Sequence, residues 1–269
     1  MQNILHEIYR HKKSELQQRK GALPFDQLQD KVNQLPPAKD FCQSLLSAKN
    51  RLNSPGLIAE IKYASPSKGD FHVNLTPLDL AQIYVDNGAT ALSVLTDAVY
   101  FKGSLEHLSQ ITQHFPNVPS LRKDFIFDAY QIYEARAASA SAVLLIMAML
   151  SVEEIISLQE LCQKLGLTAL IEVHNEEELE KALLCRPRII GINNRNLQDF
   201  SVNLDTCLKL RPLIPHNILC VAESGIHTRE DVQRLQSADF DAILVGEALV
   251  SANDIGKKVQ EIANKEVID

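Results

Sequence analysis

The 269-residue sequence predicts a (β/α)8 barrel, the TIM-barrel arrangement of the α/β class, carrying a helical N-terminal extension. Three observations lead there. From residue 57 onward, short runs of β-branched and aliphatic residues alternate with stretches of helical spacing. The units number roughly eight, each about 20–30 residues long, as a barrel requires. The first run ends in a lysine followed by ASPSKG. An open doubly wound sheet usually opens instead with a glycine-rich loop of GxGxxG type, and this chain has none.

Residues 1–48 stand outside the repeat. Ile4, Leu5, Ile8 and Tyr9 share one helical face, with charges between them, and Phe25, Leu28 and Val32 continue the theme until Leu35-Pro36-Pro37 breaks it. A stripe of this kind needs something to bury against, so the extension is expected to pack on the barrel. Residues 1–269 then form one domain. The predicted strands are 57–62, 91–95, 118–123, 142–147, 168–173, 189–193, 218–222 and 242–245. Helix starts fall between them. Thr76-Pro77 pairs an N-cap with proline at the first helical position, and Ser104 precedes Leu105, Leu108 and Ile111. Ser151 with Glu154 has the capping-box spacing, and Thr228 with Asp231 begins another helix in a similar way.

Composition narrows the function. A net charge of −7 offers no basic excess for nucleic acid, although a local cluster of cations can still hold one phosphate. The start of the chain has no continuous apolar stretch of signal-peptide type, and the run 142–150 is too short to cross a bilayer. Cys42, Cys162, Cys185, Cys207 and Cys220 are odd in number and lack CxxC spacing, which reads as reduced thiols in a cytoplasmic protein. His6, His107, His114, His216 and His227 have no metal-ligand spacing, so no metal site is expected. Glu176, Glu177 and Glu178 read as the solvated first turn of a helix. Met147, at the end of strand four, is a packing residue or a pocket-lining one.

The anomaly is charge at strand ends. Strand side chains alternate, so Glu60 and Lys62 face the same way as Ile58. Lys123 ends strand three, Glu172 lies at the end of strand five and Asn193 ends strand six, with Arg195 just beyond. Glu223 closes strand seven. Burying unpaired charge costs several kcal/mol. A converging set of charges is read as an active site at the C-terminal mouth, where barrel chemistry lies, rather than as a structural ion-pair ring. Ser224-Gly225 follows strand seven and Gly246-Glu247 follows strand eight, the positions where barrels present backbone N–H groups to phosphate. Ser65 and Ser67, in the flexible ASPSKG loop, offer hydroxyls or serve as turn residues.

Taken together, IAEIKYASPSKG (58–69), LTDAVYFKGS (95–104), LRKDFIFDAYQIYEARAA (121–138), LIEVHNEEEL (170–179), GINNRNL (191–197) and ESGIHTREDV (223–232) resemble indole-3-glycerol phosphate synthase of tryptophan biosynthesis. The resemblance spans nearly the whole chain and includes the helical extension. It implies a lyase that closes a ring with decarboxylation and dehydration. The substrate is 1-(2-carboxyphenylamino)-1-deoxy-D-ribulose 5-phosphate, and the products are indole-3-glycerol phosphate, carbon dioxide and water. It implies no cofactor and no metal, because each step is a proton transfer or a neutralisation of charge. Lys123 matches the general acid, Lys62 the partner of the anthranilate carboxylate, and Glu172 the base of the late steps. Glu60 orients Lys62, and Asn193 and Arg195 match residues gripping the carboxylate. Glu223 and Ser224 line the sugar-phosphate side, and Gly225, Gly246 and Glu247 offer backbone donors to phosphate. The partner is a phosphorylated small molecule, not nucleic acid or membrane; other tryptophan-pathway enzymes are candidate partners.

The sequence departs from the family pattern at Tyr63, where a basic residue is common, and in GDFHVN (69–74), which lacks an arginine. Ala129 replaces a frequent proline, and Ser139 and Ser141 replace glycine and aspartate. These bear on loop motion and rate rather than on the reaction. An isomerase of phosphorylated sugars would keep the phosphate end without an amide and guanidinium aimed at an aromatic carboxylate. A non-catalytic ligand sensor would not need the buried charges.

Overall fold

The computed structural model describes residues 4–264. Eight strands close a parallel barrel: β1 (Gly56–Ile61), β2 (Ala91–Leu95), β3 (Ser120–Lys123), β4 (Ala142–Ile146), β5 (Thr168–Val173), β6 (Ile189–Asn193), β7 (Leu219–Glu223) and β8 (Ala242–Val245). Each strand pairs with its neighbours in sequence, and β8 pairs with β1. Because both faces of such strands are covered, they read as near-continuous apolar runs. Four strands match the predicted bounds, and the rest differ by one or two residues. Val118 and Ile218 are aliphatic like the strand residues but lie outside the ladder, and Glu223 is the last residue of β7.

Most of the helices following the strands start where side chains can satisfy their free N–H groups. In α4 (Pro77–Asp86), α8 (Val152–Lys164) and α11 (Arg229–Ser237) the capping boxes Thr76/Asp79, Ser151/Glu154 and Thr228/Asp231 are all made. Ser104 caps α6 (Leu105–His114), and Asp128 with Gln131 forms a further box on α7 (Ala129–Ala137). Between α4 and α6 lies the short α5 (Ala98–Phe101). The other helices are α9 (Glu176–Leu184), α10 (Asp205–Leu210), α12 (Glu247–Val250) and α13 (Ile255–Ala263); α10 and α12 start without a side-chain cap.

The core has two layers. Ile58, Leu121, Leu144, Leu170, Val221 and Leu244 fill the barrel interior. A larger shell, including Ala59, Val143, Ile190 and Ile243, lies between strands and helices, and it includes Met147, which therefore packs outside the mouth. Each fully buried Val, Leu, Ile or Met side chain among them is worth about 1.5–3 kcal/mol.

The extension forms three helices: α1 (Ile4–Ala22), α2 (Phe25–Asn33) and α3 (Phe41–Leu52). The last runs past residue 48, so the boundary expected there falls inside a helix. Phe41, Cys42 and Leu45 of α3 join the interior cluster, with Asp40 capping the helix. Leu5, Ile8, Lys12 and Leu16 form the buried face of α1, so a lysine sits in what the sequence suggested was an apolar stripe. Phe25 is 42% exposed and leaves that stripe, whereas Leu28 and Val32 remain buried. Among the described residues no helix is long and apolar enough to cross a membrane, and the five cysteines are free and buried.

Candidate active site

Alternation along β1, β3, β5 and β7 sends Ile58, Leu121, Leu170 and Val221 into the barrel. Two residues further on, the same face carries Glu60, Lys123, Glu172 and Glu223. Four alternate strands thus contribute one layer of side chains, and that layer is charged where the layers beneath are apolar. Lys123 Nζ donates to Glu172 Oε2 at 2.8 Å and lies 3.1 Å from Glu223 Oε2, the latter without hydrogen-bond alignment. Lys62 Nζ is 3.0 Å from Glu60 Oε2.

Two glycines make room for these carboxylates. A Cβ on Gly191 of β6 would stand 2.1 Å from Glu223 Oε1, and one on Gly246 would stand 2.5 Å from Glu60 Oε2 and 3.1 Å from Lys62 Cε.

The layer holds more carboxylate than ammonium. Burial disfavours the Lys123 ammonium, but Glu172, Glu223 and Glu60 outweigh it and hold the lysine well above its usual pKa. Burial likewise opposes a Glu172 carboxylate, yet Lys123 and then His174 keep it well below the carboxylate range. Glu223 goes the other way. Burial pushes it up, Lys123 pulls it down and Glu172 pushes it up again, leaving it at about 8. The site therefore sets a charged lysine between a carboxylate that it holds ionised and a carboxyl whose burial favours the protonated form.

All twelve site residues expected from sequence line two adjoining pockets at this mouth. The first, about 330 Å³, includes Lys68, Ser224, Gly225, Gly246 and Glu247. The second, about 140 Å³, takes in Ser65, Glu172 and Asn193, and has an apolar wall of Ile4, Leu5 and Ile8 from α1 with Phe101, Phe125 and Ile146. Glu60, Lys62, Lys123, Arg195 and Ser224 border both. Arg195 is a strut. Its guanidinium donates to Ser67 Oγ at 3.2 Å, to the Phe200 carbonyl at 3.3 Å and to Glu247 Oε2 at 3.2 Å. Asn193 Oδ1 accepts the Arg195 N–H at 3.0 Å. The ASPSKG segment is folded: Ala64 and Ser65 pair with Asp70 and Gly69, and the Ser65 hydroxyl accepts the Lys68 N–H at 3.2 Å. Tyr63, an atypical residue, donates to the Leu75 carbonyl at 3.0 Å and ties down the far side of this loop.

Sequence reasoning missed part of the site. The wall supplied by α1, Phe101 and Phe125 has no local signal beyond apolarity. Glu178 is a correction: it is turned inward to His174, at 2.9 Å, rather than solvated with its neighbours. His174 lies 3.3 Å from Glu172 and was legible, since it stands two residues after Glu172, just past the strand end, and four before Glu178.

The profile of the family described as "Indole-3-glycerol phosphate synthase" matches residues 5–262. This chain belongs to that family. Relatives of that name include one from Dehalococcoides mccartyi, 46% identical over 96% of this chain and 99% of its own. One from a Roseiflexus species is 46% identical over 97% and 98%, and one from Campylobacter jejuni is 44% identical over 96% and 99%. Among solved structures, 3-hexulose-6-phosphate synthase from Salmonella typhimurium superposes with a TM-score of 0.64 at 14% identity, covering 78% of this chain and 97% of that one. Thiamine phosphate pyrophosphorylase from Pyrococcus furiosus gives 0.58 at 18%, covering 78% and 94%. These two share the fold. The synthase family, a family of carboxy-lyases, is set by the closer relatives.

Proposed function

We propose that this mouth converts 1-(2-carboxyphenylamino)-1-deoxy-D-ribulose 5-phosphate into indole-3-glycerol phosphate, carbon dioxide and water. The observation that carries the reading is Lys123 held between Glu172 and Glu223, with the apolar pocket on one side and the phosphate corner on the other. The aromatic ring fits against Phe101, Phe125 and Ile8, and its carboxylate meets Lys62, oriented by Glu60, with Asn193 and Arg195 nearby. The extension and barrel act as one domain, because α1 supplies part of that wall. The phosphate takes the corner of Ser224-Gly225 and Gly246-Glu247, with Ser65 over the mouth.

As the ring carbon attacks the ketone, Lys123 gives a proton to the ketone oxygen. Carbon dioxide leaves and the ring regains its aromaticity. A second proton, from a lysine, turns the hydroxyl into water, and Glu172 takes the last proton from carbon. Glu223 holds Lys123 from the sugar side. The five buried thiols support a cytoplasmic setting. The test is direct: purified protein mixed with the synthetic substrate should generate indole fluorescence and release carbon dioxide. No product from folded protein defeats the reading.

A further inference from the structure

Beyond these groups, one buried cation adjoins the charged layer without bordering either pocket. His174 follows β5, and its side chain is 7% exposed. Its Nδ1 lies 2.9 Å from Glu178 Oε2, and the same oxygen accepts the His174 backbone N–H at 2.9 Å. Glu178 is itself fixed in the first turn of α9. Its Oε1 accepts from Asn175 Nδ2 at 2.8 Å, and its N–H donates to Asn175 Oδ1 at 2.9 Å. The ring is therefore clamped from one side, leaving Nε2 beside Glu172 Oε1, 3.3 Å away. Nε2 is not aligned for a hydrogen bond, so it acts on that oxygen chiefly as charge.

From this arrangement we infer that His174 is a positioning residue, holding Glu172 in the orientation in which it meets Lys123. The two oxygens of Glu172 take different cations, His174 on Oε1 and Lys123 on Oε2. Lys123 is shared with Glu223, so one ammonium faces two carboxyls, and the imidazolium supplies the second positive charge. Without it, Oε1 would be a buried charge lacking a partner, and the carboxylate would turn toward Lys123 or take up a proton. The ionisable groups facing the ring are Glu172 from β5 and Glu178 from α9, with Lys123 of β3 behind Glu172. Burial disfavours the charged ring, but the two carboxylates outweigh burial and raise its pKa to about 9, so it is a cation at neutral pH. The inference rests on the proposed reaction for its kinetic consequence, and on the contacts of the ring with Glu172 and Glu178 for its charge.

The experiment uses the full chain, with His174→Ala, His174→Gln and Glu178→Gln beside wild type. In His174→Ala, kcat should fall about ten- to a hundredfold, the scale expected when a reacting group loses its alignment, with KM nearly unchanged. The acid limb of kcat/KM should move to higher pH, because Glu172 loses a neighbouring cation. His174→Gln, whose amide can reach Oε1, should recover part of kcat but not the position of the acid limb. Glu178→Gln should fall between it and wild type. A His174→Ala enzyme with wild-type kcat and acid limb, changed only in melting temperature, overturns the inference and leaves the proposed reaction standing. Independently of turnover, NMR of ¹⁵N-histidine-labelled wild type should show the His174 ring doubly protonated at pH 7.5, and Glu172→Gln should lower its titration. A ring titrating at the ordinary histidine value overturns the inference even if wild type makes no product, an outcome that itself defeats the reaction.

Discussion

At the residue scale the reading turns on Lys123. If it donates the proton that accompanies ring closure, Lys123→Met should lower kcat by at least about 10²-fold, because general acid catalysis is typically worth 10²–10⁴. Methionine keeps much of the stem volume and removes only the ammonium. Lys62→Ala should show much of its loss as weaker binding if its task is to hold the carboxylate. Steady-state kinetics alongside thermal melting separates the two. A folded Lys123→Met enzyme keeping more than about a tenth of wild-type kcat would refute the assignment. Gly191 gives a test from the opposite direction, since it borders neither pocket. An added methyl would stand 2.1 Å from Glu223 Oε1 in a closed parallel strand that has little freedom to shift. Gly191→Ala should therefore displace Glu223 and depress kcat, while Gly21→Ala, where nothing lies within 4 Å, should be silent on activity. Equal activity in the two variants would show that the Glu223 position is not critical.

At the scale of elements, α1 is fastened to the barrel by buried charge. Lys12 Nζ sits 2.9 Å from Asp124 and 3.5 Å from Asp97, all three side chains fully buried. Arg122 meets Asp124 at 2.9 Å and Glu134 at 3.3 Å, and Arg19 of α1 reaches Glu134 at 3.2 Å. Removing one member of such a set strands the others, at about 3–5 kcal/mol. Lys12→Met should cost that much in urea unfolding and also raise KM, because Leu5 and Ile8 on the same face line the pocket. Adding Asp97→Asn should restore part of the stability; no recovery would mean that the lysine acts through packing. This anchor also marks the limit of what the sequence makes legible. Regular signals were sufficient for the barrel: strand alternation placed Glu60, Lys123, Glu172 and Glu223 on one face, and Thr76, Ser151 and Thr228 cap their helices as expected. Lys12 was hidden because a lysine on a helical stripe reads as solvated, and its partners Asp97 and Asp124 are more than eighty residues away. Glu178 was hidden for the same reason in reverse. It stands in an acidic first turn with two solvent-facing neighbours, and only the fold shows that the third turns inward.

For the whole molecule, the charged layer makes stability depend on pH in a way that opposes function. Asp124 and Glu172 are held well below the usual carboxylate range. Their contribution is present above about pH 4 and is lost as pH falls toward their folded values. Glu223 and His174 act with the opposite sign. Glu223 is raised from 4.5 to about 8, so the folded state binds the proton more tightly and stability declines as pH rises through that window. His174 is raised from 6.5 to about 9, and its contribution, complete below 6.5, is lost by 9. The melting temperature should therefore peak near pH 5 and fall most steeply between 6.5 and 8, where unfolding releases a proton from both groups. Glu223→Gln separates the terms while nearly preserving volume. It removes the forced ionisation of a second buried carboxyl beside Glu172, so the variant should melt higher than wild type at pH 8 while losing activity, a stability–activity trade-off located in one side chain. Its alkaline decline should then begin near 6.5, where His174 alone remains. Calorimetry from pH 4 to 9 on both proteins checks the pattern. A wild-type curve with no decline between pH 5 and 6.5, or a Glu223→Gln protein less stable at pH 8, would show that Lys123 compensates both carboxylates and that Glu223 is ionised in the resting enzyme.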